Sequence, residues 1–289
     1  MSIRVHVDGH ICLPEDAKIS VFDRGFLYGD SVYETIGTVR GRLFALSDHL
    51  DRLERSARGL GLRLPSRREI EQAIHDTVAA AGNPESRVRV MVTRGAGKLD
   101  LDPASAGEPR LVVIAGPLGG PSADMYERGV AVAIVSVVRN LPGAIDPGIK
   151  SGNYLNNVMA LSEARRRPGV HEAILLAAGG SVAEGASSNV FLVKGGELLT
   201  PALSVGILDG ITRGKIISLA HAAGIACREA DFISPDELRG ADEVFLTSAA
   251  RGVLPVTEVD GRPVGDGKPG NVTRRMLAAY ARLTGEDSP

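Results

Sequence analysis

The chain has 289 residues, 44% of them hydrophobic, which is enough to fill the cores of two domains and leaves no case for disorder. Lys and Arg number 33 and Asp and Glu 35, for a net charge of -2, so nothing draws the protein to nucleic acid or an acidic membrane, and a small-molecule partner is expected. Cys12 and Cys227 are too few for a disulfide framework or a zinc cluster, MSIRVHVDGH lacks the apolar core of a signal peptide, and the apolar stretch from Ala131 to Val138 is too short to span a bilayer. The expectation is a soluble protein of the cytoplasm.

In chain order, the pattern predicts strands at 3–7 and 11–13 around the Asp8-Gly9 turn, then a hairpin of 32–39 and 42–45 about Arg40-Gly41. A helix capped by Ser47 carries Leu50, Leu53, Ala57 and Leu60 at helical spacing, and a second covers 67–81. Strands follow at 88–92 and 111–115. Glycine and proline then concentrate in residues 116–122, which places an interdomain linker at 117–122. Beyond it come a strand at 130–137, a Pro- and Gly-rich loop, a helix at 153–167, strands at 173–177 and 190–193, a helix at 211–223, a strand at 243–247 and a last helix at 273–283. The class is α+β, with a small N-terminal domain over 1–116 and a larger mixed C-terminal domain over 123–289.

Lys150, in Gly148-Ile149-Lys150-Ser151-Gly152-Asn153, follows an apolar strand and a Gly-Pro loop and precedes a helix nearly free of charge until Glu163. Burial there would favour the neutral amine that forms imines; a surface lysine at a helix start is the plain alternative. Glu184 lies in a small-residue turn between apolar strands, where a carboxylate can pair with a protonated pyridine nitrogen or simply face solvent. Gly210-Ile211-Thr212-Arg213 opens a helix whose N–H groups suit a phosphate, and Arg52 on an early helix is a further phosphate candidate. Apart from His49, the histidines (His6, His10, His75, His171, His221) and the carboxylates Asp231 and Asp242 show no metal spacing and are assigned to surface or packing.

Taken in order, Asp23-Arg24-Gly25, Tyr28-Gly29-Asp30, Tyr33-Glu34, His49-x-x-Arg52-Leu53, Ile149-Lys150-Ser151-x-Asn153, Glu184-Gly185-x-x-Ser188-Asn189-x-Phe191 and Gly210-Ile211-Thr212-Arg213 resemble the class IV, or fold type IV, aminotransferases that use pyridoxal 5'-phosphate (PLP). The likeness runs from about Val7 to Leu283. It implies a two-domain fold with a barrel-like C-terminal domain and a homodimer. It makes Lys150 the catalytic lysine that holds the cofactor and shuttles the proton, and Glu184 the partner of the pyridine nitrogen. Arg52, Ile211 and Thr212 would hold the phosphate with Ser248 beside it, and Tyr33 and Ala249 would border the substrate.

Ala249 stands where relatives often carry threonine, which implies weaker cofactor retention. Thr93-Arg94-Gly95 resembles the D-amino-acid enzymes, in which this arginine reaches the substrate carboxylate; the placing of Asn153 three residues after Lys150 resembles both those enzymes and the aminodeoxychorismate lyases. The resulting expectation is ping-pong transfer between a D-amino acid and a 2-keto acid such as 2-oxoglutarate or pyruvate. An L-branched-chain aminotransferase, an aminodeoxychorismate-lyase-like enzyme and an inactive PLP-binding protein are the alternatives; the Gly152-Asn153-Tyr154-Leu155-Asn156 run has a branched-chain character.

Overall fold

A computed structural model describes residues 2–285. They form two compact units, one reaching to Gly119 and including Ile149–Asn153, the other made of Gly120–Gly148 and the chain from Tyr154 onward. Each has its own sheet and core, and the class is α+β, as the sequence predicts.

The first unit contains β1 (Arg4–Val7), β2 (His10–Cys12), α1 (Arg24–Tyr28), β3 (Ser31–Val39), β4 (Arg42–Leu43), α2 (Leu46–Gly59), α3 (Arg67–Ala81), β5 (Ser86–Thr93) and β6 (Arg110–Pro117). Its six strands run β2-β1-β6-β5-β3-β4, antiparallel throughout. The β3–β4 hairpin turns on Arg40 and Gly41, both at positive φ, as its tight turn requires. Val32 and Ile36 of β3 and Val88, Val90 and Val92 of β5 pack on Leu50, Leu53 and Ala57 of α2 and on Ile70, Ala73 and Ile74 of α3. Strand alternation therefore points every second residue of β3 at the helices. A capping box between Ser66 and Glu69 starts α3. The start of α2 differs from expectation: Ala45, at φ 52, is its N-cap, and the Ser47 hydroxyl accepts from Arg67 Nη2 at 3.0 Å.

The second unit contains α4 (Ala123–Arg128), β7 (Val130–Val138), α5 (Leu155–Ala164), β8 (Val170–Leu176), β9 (Val182–Gly185), β10 (Asn189–Lys194), β11 (Glu197–Pro201), α6 (Ile211–Ala222), β12 (Cys227–Ala230), α7 (Pro235–Arg239), β13 (Glu243–Ser248), β14 (Gly252–Val259), β15 (Arg262–Pro263) and α8 (Asn271–Thr284). The mixed sheet runs β12-β11-β10-β13-β14-β7-β8-β9, with β15 paired to β14. β9, at the end of that path, also lies against β10 and β11, so the sheet curls on itself around Val132, Ile174, Val190, Leu192, Val244, Leu246, Leu254 and Val256. α5 approaches closely through Ala160 and Ala164, which meet Ala133, Ala173 and Leu175. Among the described residues no helix is long and apolar enough to cross a membrane.

Residues 149–153 depart from the predicted division. Tyr33 N donates to Lys150 O at 3.0 Å, Gly152 N donates to Ser31 O at 2.8 Å, and Val32 bridges Ser151. On this edge β4 covers only Thr38 and Val39, and the lysine segment takes the N-terminal half. The helix predicted from Asn153 begins at Leu155 instead, because Asn153 Nδ2 donates to Gly29 O at 3.1 Å and its main-chain N to Ser151 Oγ at 3.3 Å.

Candidate active site

In the first unit, the pleat of β3 separates two chemistries. Glu34 points toward α2, where Arg52 donates Nε to Oε1 and Nη2 to Oε2, each at 2.7 Å, and His49 Nδ1 lies 2.7 Å from Oε2. The carboxylate has no solvent exposure. Burial by itself would raise its pKa, but the charge and hydrogen bonds of Arg52, with His49, hold it down at about 2. Arg52 is thus buried with the plane of its guanidinium fixed by a carboxylate.

Tyr33 takes the opposite face. Arg89 Cζ lies 3.8 Å from the centroid of its ring and Lys150 Nζ 4.4 Å. Arg89 reaches the ring diagonally, because it pairs in register with Thr35. The lysine main chain is tied at both sides, its carbonyl to Tyr33 N and its N–H to Ser56 Oγ of α2 at 3.0 Å. The residue is half-buried, between the burial and the surface position that the sequence left open.

Arg94, expected at a substrate carboxylate, is engaged within the fold. Its Nε donates to Asp30 Oδ2 at 2.7 Å, and Nη1 and Nη2 donate to Gly61 O and Leu60 O, each at 2.8 Å. Those carbonyls follow the C-terminus of α2, so the arginine caps a helix. Burial opposes ionisation of Asp30, yet Arg94 and Arg24 keep its carboxyl below the ordinary value.

In the second unit, Glu184 of β9 is buried. Oε1 accepts from Arg139 Nε at 2.7 Å, and Oε2 accepts from Asn189 Nδ2 at 3.2 Å and Leu208 N at 3.1 Å. The small-residue turn after it follows from packing: a Cβ on Gly185 would come within 2.2 Å of Ser188 Oγ and 3.3 Å of Glu172 Cγ.

Helix α6 starts at Gly210, which has no side-chain cap, so the first N–H groups lack a capping acceptor from that residue. Only glycine fits there, because a Cβ would lie 1.9 Å from Asn189 Oδ1. Ile211 is half-buried at the first turn, and buried Thr212 places Oγ1 3.4 Å from Tyr280 OH. Arg213 is turned elsewhere, to Pro201 O at 2.9 Å and to Glu229.

Thr247 pairs with Asn189 across β10 and β13, and two residues along that same face Phe191 stacks on Phe245. Its Oγ1 is buried with no hydrogen-bond partner. An uncapped helix start and an unsatisfied hydroxyl beside Asn189, the residue that also holds Glu184, form a donor set that fits a phosphate at one end and a pyridine nitrogen at the other.

Ser248, expected at the phosphate, falls on the alternate face of β13. Its Oγ accepts from Arg251 Nε at 3.1 Å, and Arg251 continues to Glu172 Oε2 at 2.9 Å and Ser187 Oγ at 2.7 Å. Ala249 is half-exposed in the turn that follows. The sequence reading missed Arg139, Asn189 and Thr247. Asn189 lay within a recognised motif and Thr247 directly before the Ser248-Ala249 pair, while Arg139 becomes visible only through its ion pair with Glu184. Among the described residues no group of three or more His, Cys, Asp or Glu is arranged to hold a metal.

The profile of the amino-transferase class IV family matches residues 31–259. The chain is 39% identical over 279 residues, 96% of its length and 95% of the relative's, to a Methanocaldococcus jannaschii protein provisionally named a branched-chain-amino-acid aminotransferase. It is 35% identical over 289 aligned residues to the D-alanine aminotransferase of Listeria monocytogenes, covering 95% of this chain and 93% of that one. The Escherichia coli branched-chain amino acid aminotransferase superposes with a TM-score of 0.93 at 33% identity, over 98% of this chain and 95% of that one.

Proposed function

Because the chain belongs to the class IV aminotransferases, a family of PLP-dependent enzymes, we propose that it transfers an amino group between a branched-chain L-amino acid and a 2-keto acid such as 2-oxoglutarate. Bound PLP supplies a carbon that accepts the amino group and a ring that withdraws electrons from the substrate's α-carbon. The residues of this chain do the rest. Lys150 Nζ holds the cofactor and then carries the proton to and from the substrate's α-carbon. Glu184 accepts the hydrogen bond of the protonated ring nitrogen. Ile211 and Thr212 at the start of α6, with Thr247 and the Arg52 guanidinium oriented by Glu34, hold the phosphate. Tyr33 forms a wall beside Lys150, and Ala249 borders the substrate carboxylate.

The observation that carries the preference for L-substrates is the state of Arg94. The D-amino-acid reading relied on that side chain as a carboxylate clamp, and its three guanidinium nitrogens are held by Asp30, Leu60 and Gly61. The M. jannaschii relative and the E. coli enzyme carry branched-chain names, which supports the same direction. A D-amino-acid transaminase is the second reading, favoured by the 35% identity to the Listeria enzyme. Mixing the holoenzyme with L-leucine, L-valine, D-alanine or D-glutamate in single-turnover absorbance measurements decides between them. L-leucine is expected to convert the cofactor to its amine form with one equivalent of keto acid released; conversion by D-alanine alone reverses the assignment.

The active assembly proposed is a homodimer. Support comes from apolar side chains open to solvent in the first unit, among them Phe26 at 67% and Leu101 at 79% exposure.

A further inference from the structure

We infer that Arg139 is a positioning residue for the cofactor's ring nitrogen, acting through Glu184; this rests on the reading of Glu184 given above. Arg139 lies just past β7, its main-chain N donating to Leu176 O at 2.8 Å, and its guanidinium is buried. Nε meets Glu184 Oε1 at 2.7 Å, while Oε2 is held by Asn189 Nδ2 and Leu208 N. A guanidinium has no proton to lose near neutral pH and cannot accept a hydrogen bond.

Two consequences follow for the ring nitrogen. The carboxylate is fixed in one rotamer by donors on both oxygens, so its aim does not depend on the cofactor. Being paired with a permanent cation, Glu184 is also a weaker base than an unpaired buried carboxylate, so a proton shared with a pyridine resides on the ring nitrogen and Glu184 remains the acceptor. Arg139 thus decides on which atom that proton sits without touching the cofactor. The buried ion pair with Glu184 is what accounts for the placement of its side chain.

The test uses the holoenzyme loaded with PLP labelled with nitrogen-15 in the ring. Arg139→Met, Arg139→Lys, Glu184→Gln and the Arg139→Met/Glu184→Gln double variant are compared by ring nitrogen-15 chemical shift and single-turnover rate with saturating amino acid. Arg139→Met is expected to move the resonance toward that of an unprotonated pyridine and to slow the half-reaction roughly tenfold to a hundredfold with KM changed less. Arg139→Lys should restore most of both. The double variant should be no slower than Glu184→Gln alone, since the arginine acts only through that carboxylate.

A wild-type resonance and rate in Arg139→Met, alongside an impaired Glu184→Gln, overturns this inference and leaves the role of Glu184 standing. An unimpaired Glu184→Gln overturns both. Should the methionine variant fail to fold, Arg139→Gln, which keeps a donor near Glu184 but no charge, carries the test: a resonance moved toward that of an unprotonated pyridine is expected, and a wild-type resonance contradicts the proposal.

Discussion

Glu184 and Arg94 both sit in hydrogen-bond networks, and the two networks are arranged oppositely. Around Glu184 the donors converge on one carboxylate, which supports the proposed pairing with a positive ring nitrogen. Glu184→Gln is expected to slow the half-reaction by about two to three orders of magnitude, because a neutral amide does not stabilise the charge; a single-turnover rate within threefold of wild type contradicts the role. Arg94 instead diverges onto Asp30 and two carbonyls. Arg94→Ala should cost on the order of 1–3 kcal/mol in folding stability, measured by denaturant unfolding of the apoprotein, while KM for the amino acid stays near wild type. A large rise in KM with unchanged stability would return the arginine to the substrate. The motif around Arg94 was readable in the sequence, but its partners were not, since Leu60 and Gly61 lie more than thirty residues earlier and become neighbours only when α2 packs on the sheet.

At the scale of elements, the faces of β3 and β13 decide what each site residue does. Glu34 faces the helices and is ionised at a pKa near 2, against an ordinary value of 4.5. A carboxyl depressed on folding stabilises the native state above its unfolded pKa and loses that contribution as pH falls toward its folded one. The first unit should therefore weaken between about pH 4.5 and 2, and Glu34→Gln should flatten the slope of stability against pH in that window. An unchanged slope removes Glu34 as its source.

On β13, Thr247 presents an unsatisfied hydroxyl. Thr247→Val should leave the apoprotein as stable or more so and weaken PLP binding by roughly fivefold to tenfold, read by cofactor titration. If valine destabilises the apoprotein and leaves affinity intact, the hydroxyl has an internal partner and no phosphate role. Periodicity revealed the long elements, including α3 and β5, almost to their ends. It missed β14, where Pro255 argues against a central strand; the strand tolerates it because pairing with β7 begins one residue later, at Val256. It missed β9, whose four residues are too short to alternate visibly.

For the molecule as a whole, composition and charge narrowed the partner class, and the order of short motifs over nearly the entire chain carried the family, which no single motif does. Substrate choice was least legible, because it depends on which cations remain available once the sheet and helices have formed. A homodimer implies that sedimentation of the holoenzyme gives the mass of two chains and that Leu101→Glu weakens the association; a monomer at working concentration that retains full activity contradicts that assembly.

The central claim, that Lys150 holds the cofactor, is tested most directly by reducing the PLP-loaded protein with borohydride and mapping the labelled peptide by mass spectrometry. One phosphopyridoxyl group per chain is expected, on Lys150, and absent from Lys150→Ala. A label on another lysine, or none on a protein that turns over, contradicts it.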